Sequence, residues 1–403
     1  MKAEFVEAIP IIEQLNEHGH EAYFVGGSVR DLLLNRKIGD IDIATSAKPD
    51  EIQKIFPKTI DVGVQHGTVI VLHNGKPYEV TTFRTEGEYE EYRRPKYVRF
   101  VSSLQEDLKR RDFTINALAM DKNGRILDYV NGMEDLENRM IRTVGDPYER
   151  FSEDALRMLR ALRFVSQLSF RLEEKTMQAI TVWHKLLQNI SIERITAEFE
   201  KLLAGASAND AIQLLTLTNV YQHMPGLKQK KEQLHKLLSY PMHNLCEREE
   251  YWTVLLFVLE TDDGESFMRN WKLPRRVIKK VCRHLELLSC LFEKDWTAFL
   301  LYKTGLEDAL QLERIRQVLQ KEKNEEAIQK LQKSYEQLPI HSRKELAVTG
   351  NDILNIVPKK PGKWVEEYLT LVEQQVVNGL IENNSGEIKE WLKNCNQKLG
   401  ESC

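Results

Sequence analysis

The feature that most constrains this chain is a change of periodicity near residue 145. Ahead of it, short β-branched runs (AYFVGGS, IDIAT, GTVIVLH, YEVTTF, RILDYV) alternate with helical stretches and are separated by Gly and Asn-Gly turns. They read as strands of an α/β or α+β unit. Beyond it the β signals almost vanish, and Leu, Lys, Glu and Gln-rich segments such as DALRMLRALRFVSQL and IERITAEFEKLLAG recur at a 3.6-residue spacing. The expected fold is an α+β first part followed by an almost entirely helical remainder.

A length of 403 residues exceeds one ordinary domain and predicts two to four. Turn-forming breaks near Gly145-Asp146-Pro147, Gly205, Pro225-Gly226, Pro274 and Pro358 to Gly362 mark the joints. They divide the chain into 1–145, 146–205, 206–300 and 301–403. With 42% hydrophobic and 29% charged residues the chain has enough apolar material for packed cores, and no stretch approaches eighteen uncharged apolar residues. Neither export nor membrane insertion is expected. The five cysteines, Cys246, Cys282, Cys290, Cys395 and Cys403, form no CxxC pair and sit at no metal-ligand spacing from a histidine cluster, which fits a reducing cytoplasm. The formal charge of −4 means that any polyanionic partner has to be attracted by local basic surfaces.

In FVGGSVRDLL a strand runs into Gly26-Gly27 and a helix is expected to open at about Ser28, as its N-cap. Exposed amides at such a helix start suit a phosphate, to which Arg30 adds a bidentate donor. The bland alternative is an ordinary glycine turn. About ten residues on, GDIDIAT places Asp40 and Asp42 two apart, and in a strand they point to the same face. Facing like charges are unfavourable without a cation, and paired divalent ions are the usual means of nucleotidyl transfer. Asp-x-Asp alone is more often a solvated strand edge. Joined to the glycine turn, it points to a metal pair beside a triphosphate.

This head resembles the polymerase β-type nucleotidyltransferases. In that superfamily a third carboxylate commonly lies on a neighbouring strand, and Glu79 in YEVTTFR is the candidate, unless it pairs with an arginine. In RRDFTINALAM, Arg111 and Asp112 side by side can receive a ribose 2′-hydroxyl and a phosphate, or Asp112 can cap a helix. In SEDALRMLRALRF, Ser152, Glu153 and Asp154 are expected to begin a helix. Asp154 and Arg157 then share a face, with Glu153 reaching Arg157 at i+4. Such an acceptor beside a donor fits cytosine and adenine, which pair an exocyclic amino group with a bare ring nitrogen, and repels uracil and guanine. Arg160 and Arg163, which drift round the helix, are read as phosphate contacts; the alternative is a face of ordinary salt bridges.

GGSVRD, GDIDIAT, RRDFTINALA, DYVNGMEDL and EDALRMLRALRF, in this order and spacing, resemble the class II tRNA nucleotidyltransferases, the CCA-adding enzymes. The resemblance covers roughly the first 165 residues, and SIERITAEFEKLLAG extends it. It implies a seahorse-like arrangement: a catalytic head (1–145), a nucleotide-recognising neck (146–205), a helical body (206–300) and a tRNA-binding tail (301–403). It also implies Mg2+ at Asp40 and Asp42, and nucleotide contacts from Gly27, Arg30, Arg111, Asp154, Arg157, Arg160 and Arg163. The partners it implies are the tRNA 3′ end, CTP and ATP; a homodimer is left open. Residues 84 to 104, RTEGEYEEYRRPKYVRFVSSL, read as a mobile segment like the loop of complete CCA-adding enzymes, which favours full CCA addition. The rivals are a poly(A) polymerase, a CC- or A-adding enzyme and, with both aspartates intact, much less a non-catalytic RNA-binding protein. A fused phosphohydrolase is excluded because no His is followed by Asp. KQKKEQLHKLL and SRKELAVTGNDIL can offer basic groups and amides to tRNA, or be ordinary surface and capping.

Overall fold

The computed structural model describes residues 1–63, 67–87, 89–90, 94–95, 98–357 and 359–400. Contacts divide the chain into two compact units. Unit 1 is Met1–His243 with Ser266–Leu273, and unit 2 is Asn244–Glu265 with Pro274–Cys403.

Unit 1 is built on a seven-stranded mixed sheet. Its strands are β1 (Ala22–Val25), β2 (Asp42–Thr45), β3 (Thr59–Gly63), β4 (Thr68–His73) and β5 (Lys76–Thr82). After two short ribbons, β6 (Arg84–Glu86) with β9 (Val98–Phe100) and β7 (Tyr89–Glu90) with β8 (Arg94–Pro95), β10 (Leu118–Met120) and β11 (Ile126–Asp128) complete it. The order is β11-β10-β1-β2-β5-β4-β3. Only β2 and β5 run parallel, and their register sets Asp42 opposite Glu79; the β1–β2 hairpin-like pair sets Val25 opposite Asp42. Apolar residues of these central strands, Phe24, Ile43, Ala44 and Val80, are fully or almost fully buried. Each large one contributes on the order of 1.5–3 kcal/mol of burial, which fixes the register that turns Asp42 to the opposite face of the strand.

Helices α1 (Ala3–Glu17), α2 (Gly27–Leu33), α3 (Pro49–Ile55), α4 (Leu104–Lys109) and α5 (Gly132–Glu137) accompany the sheet. Phe5 of α1 meets Phe24 edge-on, with ring centroids 4.9 Å apart. Then follow α6 (Pro147–Glu153), α7 (Leu156–Leu168), α8 (Glu174–Trp183), α9 (Ile192–Leu203), α10 (Ala208–Leu217) and α11 (Lys231–Leu237). α7 and α9 pack closely because Gly205, just past α9, has no side chain: a Cβ there would lie 2.0 Å from Ser166 Oγ.

Unit 2 is helical: α12 (Arg248–Leu259), α14 (Arg275–Glu293), α15 (Ala298–Thr304), α16 (Leu306–Gln320), α17 (Glu325–Glu336), α18 (Gly350–Ile356), α19 (Trp364–Val377) and α20 (Ser385–Gly400); α13 (Gly264–Asn270), between α12 and α14 in sequence, falls mostly in unit 1. The Thr349-Gly350-Asn351 turn does open a helix, Thr349 and Asp352 forming a capping box. The α+β head and helical remainder agree with the sequence reading; among the described residues the strands after β11 are the two-residue β12 (Met140–Ile141) and β13 (Arg171–Leu172), which pair with each other. Among the described residues no helix is long and apolar enough to cross a membrane.

Three local expectations are corrected. Asp40 precedes β2, which begins only at Asp42, so the two aspartates do not share a strand. The first glycine turn caps α2 at Gly26, and Ser28 lies inside the helix, donating to the Val25 carbonyl at 3.1 Å. Asp154 does not begin a helix with Ser152 and Glu153: α6 ends at Glu153, and Asp154 is extended at φ −131°, ψ 103°. The segment 84 to 104 contains paired strands where it is described; residues 88, 91–93 and 96–97 of that reading lie outside the described residues.

Candidate active site

One cavity of about 850 Å³ in unit 1 gathers most of the residues that the sequence singled out: Gly27, Arg30, Asp42, Glu79, Arg111, Asp154, Arg157, Arg160 and Arg163 all line it. Asp40 is not in the lining but acts on Asp42 electrostatically. Nine cationic side chains face four carboxylates in this lining, so the cavity is locally basic in a chain whose formal charge is −4. A polyphosphate is the ligand class such a field favours.

The turn at the end of β1 forms one wall. Gly26 sits at φ 75°, where a side chain is strained, and a Cβ there would come 3.2 Å from Arg111 Nη1 and 3.6 Å from Asp42 Oδ2. The sequence reading credited both glycines of Gly26-Gly27 with a close backbone approach, and of the two it is Gly26 whose positive φ requires glycine. Asp42 stands beside Glu79. Burial, then Glu79, push its carboxyl up to about 6, with Asp40 adding to the rise and Arg111 opposing it.

From α2 a polar network crosses to α7. Arg30 Nε and Nη2 donate to Asp31 at 3.0 Å each, and Nη1 donates to Asn116 Oδ1 at 2.6 Å. Asn116 Nδ2 donates to Asp112 Oδ1 at 3.1 Å, and Arg160 grips Asp112 Oδ2, with its Nε at 2.9 Å. Burial opposes ionisation of Asp112, yet the charge and hydrogen bonds of Arg160, with Asn116, hold its carboxyl well below the usual carboxylate range. Asp112 is thus an internal brace, and the Phe113 N–H that it accepts does not make it a helix cap. Arg163 pairs with Glu198 at 3.2 Å, and burial lowers its guanidinium to about 10, still charged at neutral pH. Arg30, Arg160 and Arg163 surround the Phe164 ring, their guanidinium carbons 5.2, 5.7 and 4.2 Å from its centroid.

Asp154 and Arg157 are each held from both sides. Arg157 Nη1 donates to Glu153 Oε2 at 2.6 Å, as its i+4 spacing predicts, and also to the Arg150 carbonyl at 3.2 Å. Asp154 Oδ1 accepts the Leu156 N–H at 3.1 Å and so opens α7, while Oδ2 accepts from Arg194 at 3.2 Å. Sequence reasoning missed Arg194, Glu198, Phe164 and Asp107. Asp107 is fully buried and receives Arg110 Nε at 2.9 Å and Arg111 Nη2 at 3.1 Å. For Arg194 and Glu198 the signal was SIERITAEFEKLLAG, from which Arg194 reaches Asp154 and Glu198 reaches Arg163.

Buried guanidinium N–H groups at this cavity, among them Arg111 Nε, Arg163 Nε and Arg194 Nη1, have no acceptor among the described residues, as donors meant for an anionic ligand would. For a metal, the carboxylates of Asp40, Asp42 and Glu79 are hard oxygen donors whose mutual repulsion a cation relieves. No group of three or more His, Cys, Asp or Glu able to cage an ion occurs among the described residues.

Against known proteins, the chain is 53% identical over 404 residues to the CCA-adding enzyme of Geobacillus sp. (strain WCH70), covering 100% of both. The chain belongs to the CCA-adding enzyme family. It is also 48% identical to the CCA-adding enzyme of Bacillus licheniformis, over 98% of this chain and 99% of that one. The crystal structure of Bacillus stearothermophilus CCA-adding enzyme in complex with CTP superposes on it with a TM-score of 0.91 at 46% identity, covering 100% of each chain. Family models described as "Poly A polymerase head domain", "Probable RNA and SrmB-binding site of polymerase A" and tRNA nucleotidyltransferase domain 2 match residues 22–142, 169–231 and 243–392. A CCA-adding enzyme is a nucleotidyltransferase, and that chemistry depends on a divalent metal.

Proposed function

We propose that this chain completes tRNA 3′ ends by adding C, C and A from CTP and ATP, with Mg2+ at Asp40 and Asp42. The observation that carries the reading is one cavity lined at once by Asp42 and Glu79, by the arginines of three motifs, and by Asp154 with Arg157. Relatives at 53% and 48% identity over nearly their whole length bear the CCA-adding name, and one at 46% identity holds CTP in its crystal structure.

In each round the RNA 3′-hydroxyl oxygen attacks the α-phosphorus, the bond to the β-phosphate oxygen breaks, and diphosphate leaves. Magnesium supplies charge neutralisation and a more acidic hydroxyl. Arg30, Arg111, Arg160 and Arg163, with the Gly27 amide, hold the triphosphate in line, and their bonds to Asp31, Asp107, Asp112 and Glu198 fix them beforehand. Asp154 accepts the exocyclic amino group of cytosine or adenine, and Arg157 donates to the adjacent ring nitrogen. With uracil or guanine both contacts meet like polarity, at on the order of 1–3 kcal/mol per lost bidentate contact. Glu79 is the candidate third carboxylate, carried by its register with Asp42.

The match of residues 22–142 to a poly(A) polymerase head favours one rival, but the relatives that match along the whole chain are CCA-adding enzymes. The helices beyond residue 300 are assigned to tRNA holding, and the cytoplasm is the compartment where such an enzyme meets its substrate. Replacement of Asp40 by alanine tests the chemistry: incorporation of labelled CTP should vanish with the fold intact, and full activity would overturn the metal assignment.

A further inference from the structure

A second basic pocket of unit 1 has no part in the site above. It lies between the 3₁₀ segments His184–Asn189 and Val220–His223 and has a volume of about 790 Å³. Two histidines form its floor: His184 Nδ1 and His223 Nε2 are 2.9 Å apart, with ring centroids 5.0 Å apart. Lys185 and Lys228 flank them, Gln188 and Gln222 add amide groups, and no carboxylate lines the pocket. Two exposed lysines beside two histidines, with no carboxylate in the lining, leave the pocket locally positive in a chain whose formal charge is −4.

We propose that this pocket is a second phosphate-binding site, which holds one phosphodiester group of the RNA substrate. The geometry of the histidine pair selects an anion. In the neutral pair one proton is shared across the 2.9 Å contact, which leaves one outward N–H and one outward lone pair. Uptake of one more proton turns both outward nitrogens into donors, so that with Lys185 and Lys228 the lining offers four donor groups to an oxyanion. Burial lowers both rings from the ordinary histidine value; His223 and then Lys185 add to this at His184, and Lys228 and then Lys185 at His223, so the anion and the extra proton bind together. The same two lysines, without a carboxylate, oppose a metal ion on the histidines. Both segments fall inside the stretch whose family model carries an RNA-binding description. The amides of Gln188 and Gln222 suit ribose hydroxyls or base edges, which a free phosphate lacks.

This inference rests on the proposed tRNA substrate, and its test separates the two. Full-length wild type and the K185Q/K228Q and H223Q variants, all outside the active site, are assayed with tRNA lacking CCA and with CTP. In K185Q/K228Q the KM for tRNA should rise about fivefold or more. The slope of log affinity against log salt should fall by roughly 0.7–0.9 for the one phosphate lost. The KM for CTP, kcat and thermal midpoint should stay at wild-type values, since both lysines are exposed. Wild-type tRNA affinity should weaken between pH 6 and 8, and H223Q should flatten that dependence. Unchanged tRNA KM and salt slope in K185Q/K228Q would overturn the site while leaving the function standing. Loss of inorganic phosphate binding in the variants with an unchanged tRNA KM would assign the pocket to a free anion instead of RNA. Wild type that extends no tRNA at all would refute the substrate reading itself.

Discussion

Asp42 on β2 and Glu79 on β5 stand in register across the one parallel strand pair of the sheet. Asp42 is pushed up to about 6 by burial first and next by Glu79, which its register places alongside. A carboxyl whose folded value exceeds its unfolded value near 4 binds more protons when folded. Its contribution to stability is therefore complete below pH 4 and is lost as the pH rises through 6.

The metal-free protein should accordingly lose thermal stability across pH 4 to 6 relative to Asp42→Asn, which has no such titration. Adding Mg2+ at pH 7.5 should raise the wild-type midpoint and leave that of Asp42→Asn unmoved. Calorimetry checks both, and identical responses in the two proteins would remove Asp42 from the metal site.

Arg194 should matter for both nucleotides alike, since its 3.2 Å bond orients Asp154 in every round. A charged hydrogen bond of this kind is worth about 1.5–3 kcal/mol. Arg194→Ala should then lower kcat/KM about tenfold or more for CTP and for ATP, without changing the KM for tRNA. Arg194→Lys should recover part of it. Steady-state rates at subsaturating nucleotide measure this, and a loss confined to one nucleotide would contradict it.

Glu153→Gln removes the charged partner of Arg157 but leaves its bond to the Arg150 carbonyl. The guanidinium should stay in the cavity with a looser orientation. Discrimination against UTP should fall about tenfold while CTP incorporation drops less, as read from competing incorporation of the two.

How much of this was legible depended on sequence distance. Glu153 and Arg157 are four apart, so helical geometry alone joins them. Asp112 and Arg160 are 48 residues apart, and Asp154 and Arg194 are 40 apart; only the tertiary fold makes them neighbours. The break at Asp154 was hidden because the residues on both sides favour helix. It exists because Asp154 turns its carboxylate to the Leu156 N–H, ending α6 and starting α7. Asp40 falls outside the strand for a comparable reason: the ladder with β5 starts at the Asp42–Glu79 pair. The charge pattern of SIERITAEFEKLLAG was visible, but which arginine or glutamate faced the cavity was not.

The DYVNGMEDL motif is explained by a buttress, where sequence reasoning gave no role. A Cβ on Gly132 would lie 2.3 Å from the Thr114 carbonyl oxygen, while Asp135 accepts the Thr114 hydroxyl at 2.6 Å and so ties α5 beneath the turn that carries Asn116. Gly132→Ala should destabilise the protein by about 1–3 kcal/mol as an overpacked contact and lower activity, although Gly132 does not line the cavity. Urea unfolding checks this; unchanged stability would show that the turn yields freely.

The central claim is that one pocket chooses C and A and that addition ends at three nucleotides. Wild-type protein incubated with tRNA ending before CCA, CTP and labelled ATP, with products resolved at single-nucleotide length, tests it most directly. The expected product is the tRNA extended by CCA and no further. A product that stops after two cytidines, or a lengthening tail of adenosines, would contradict it.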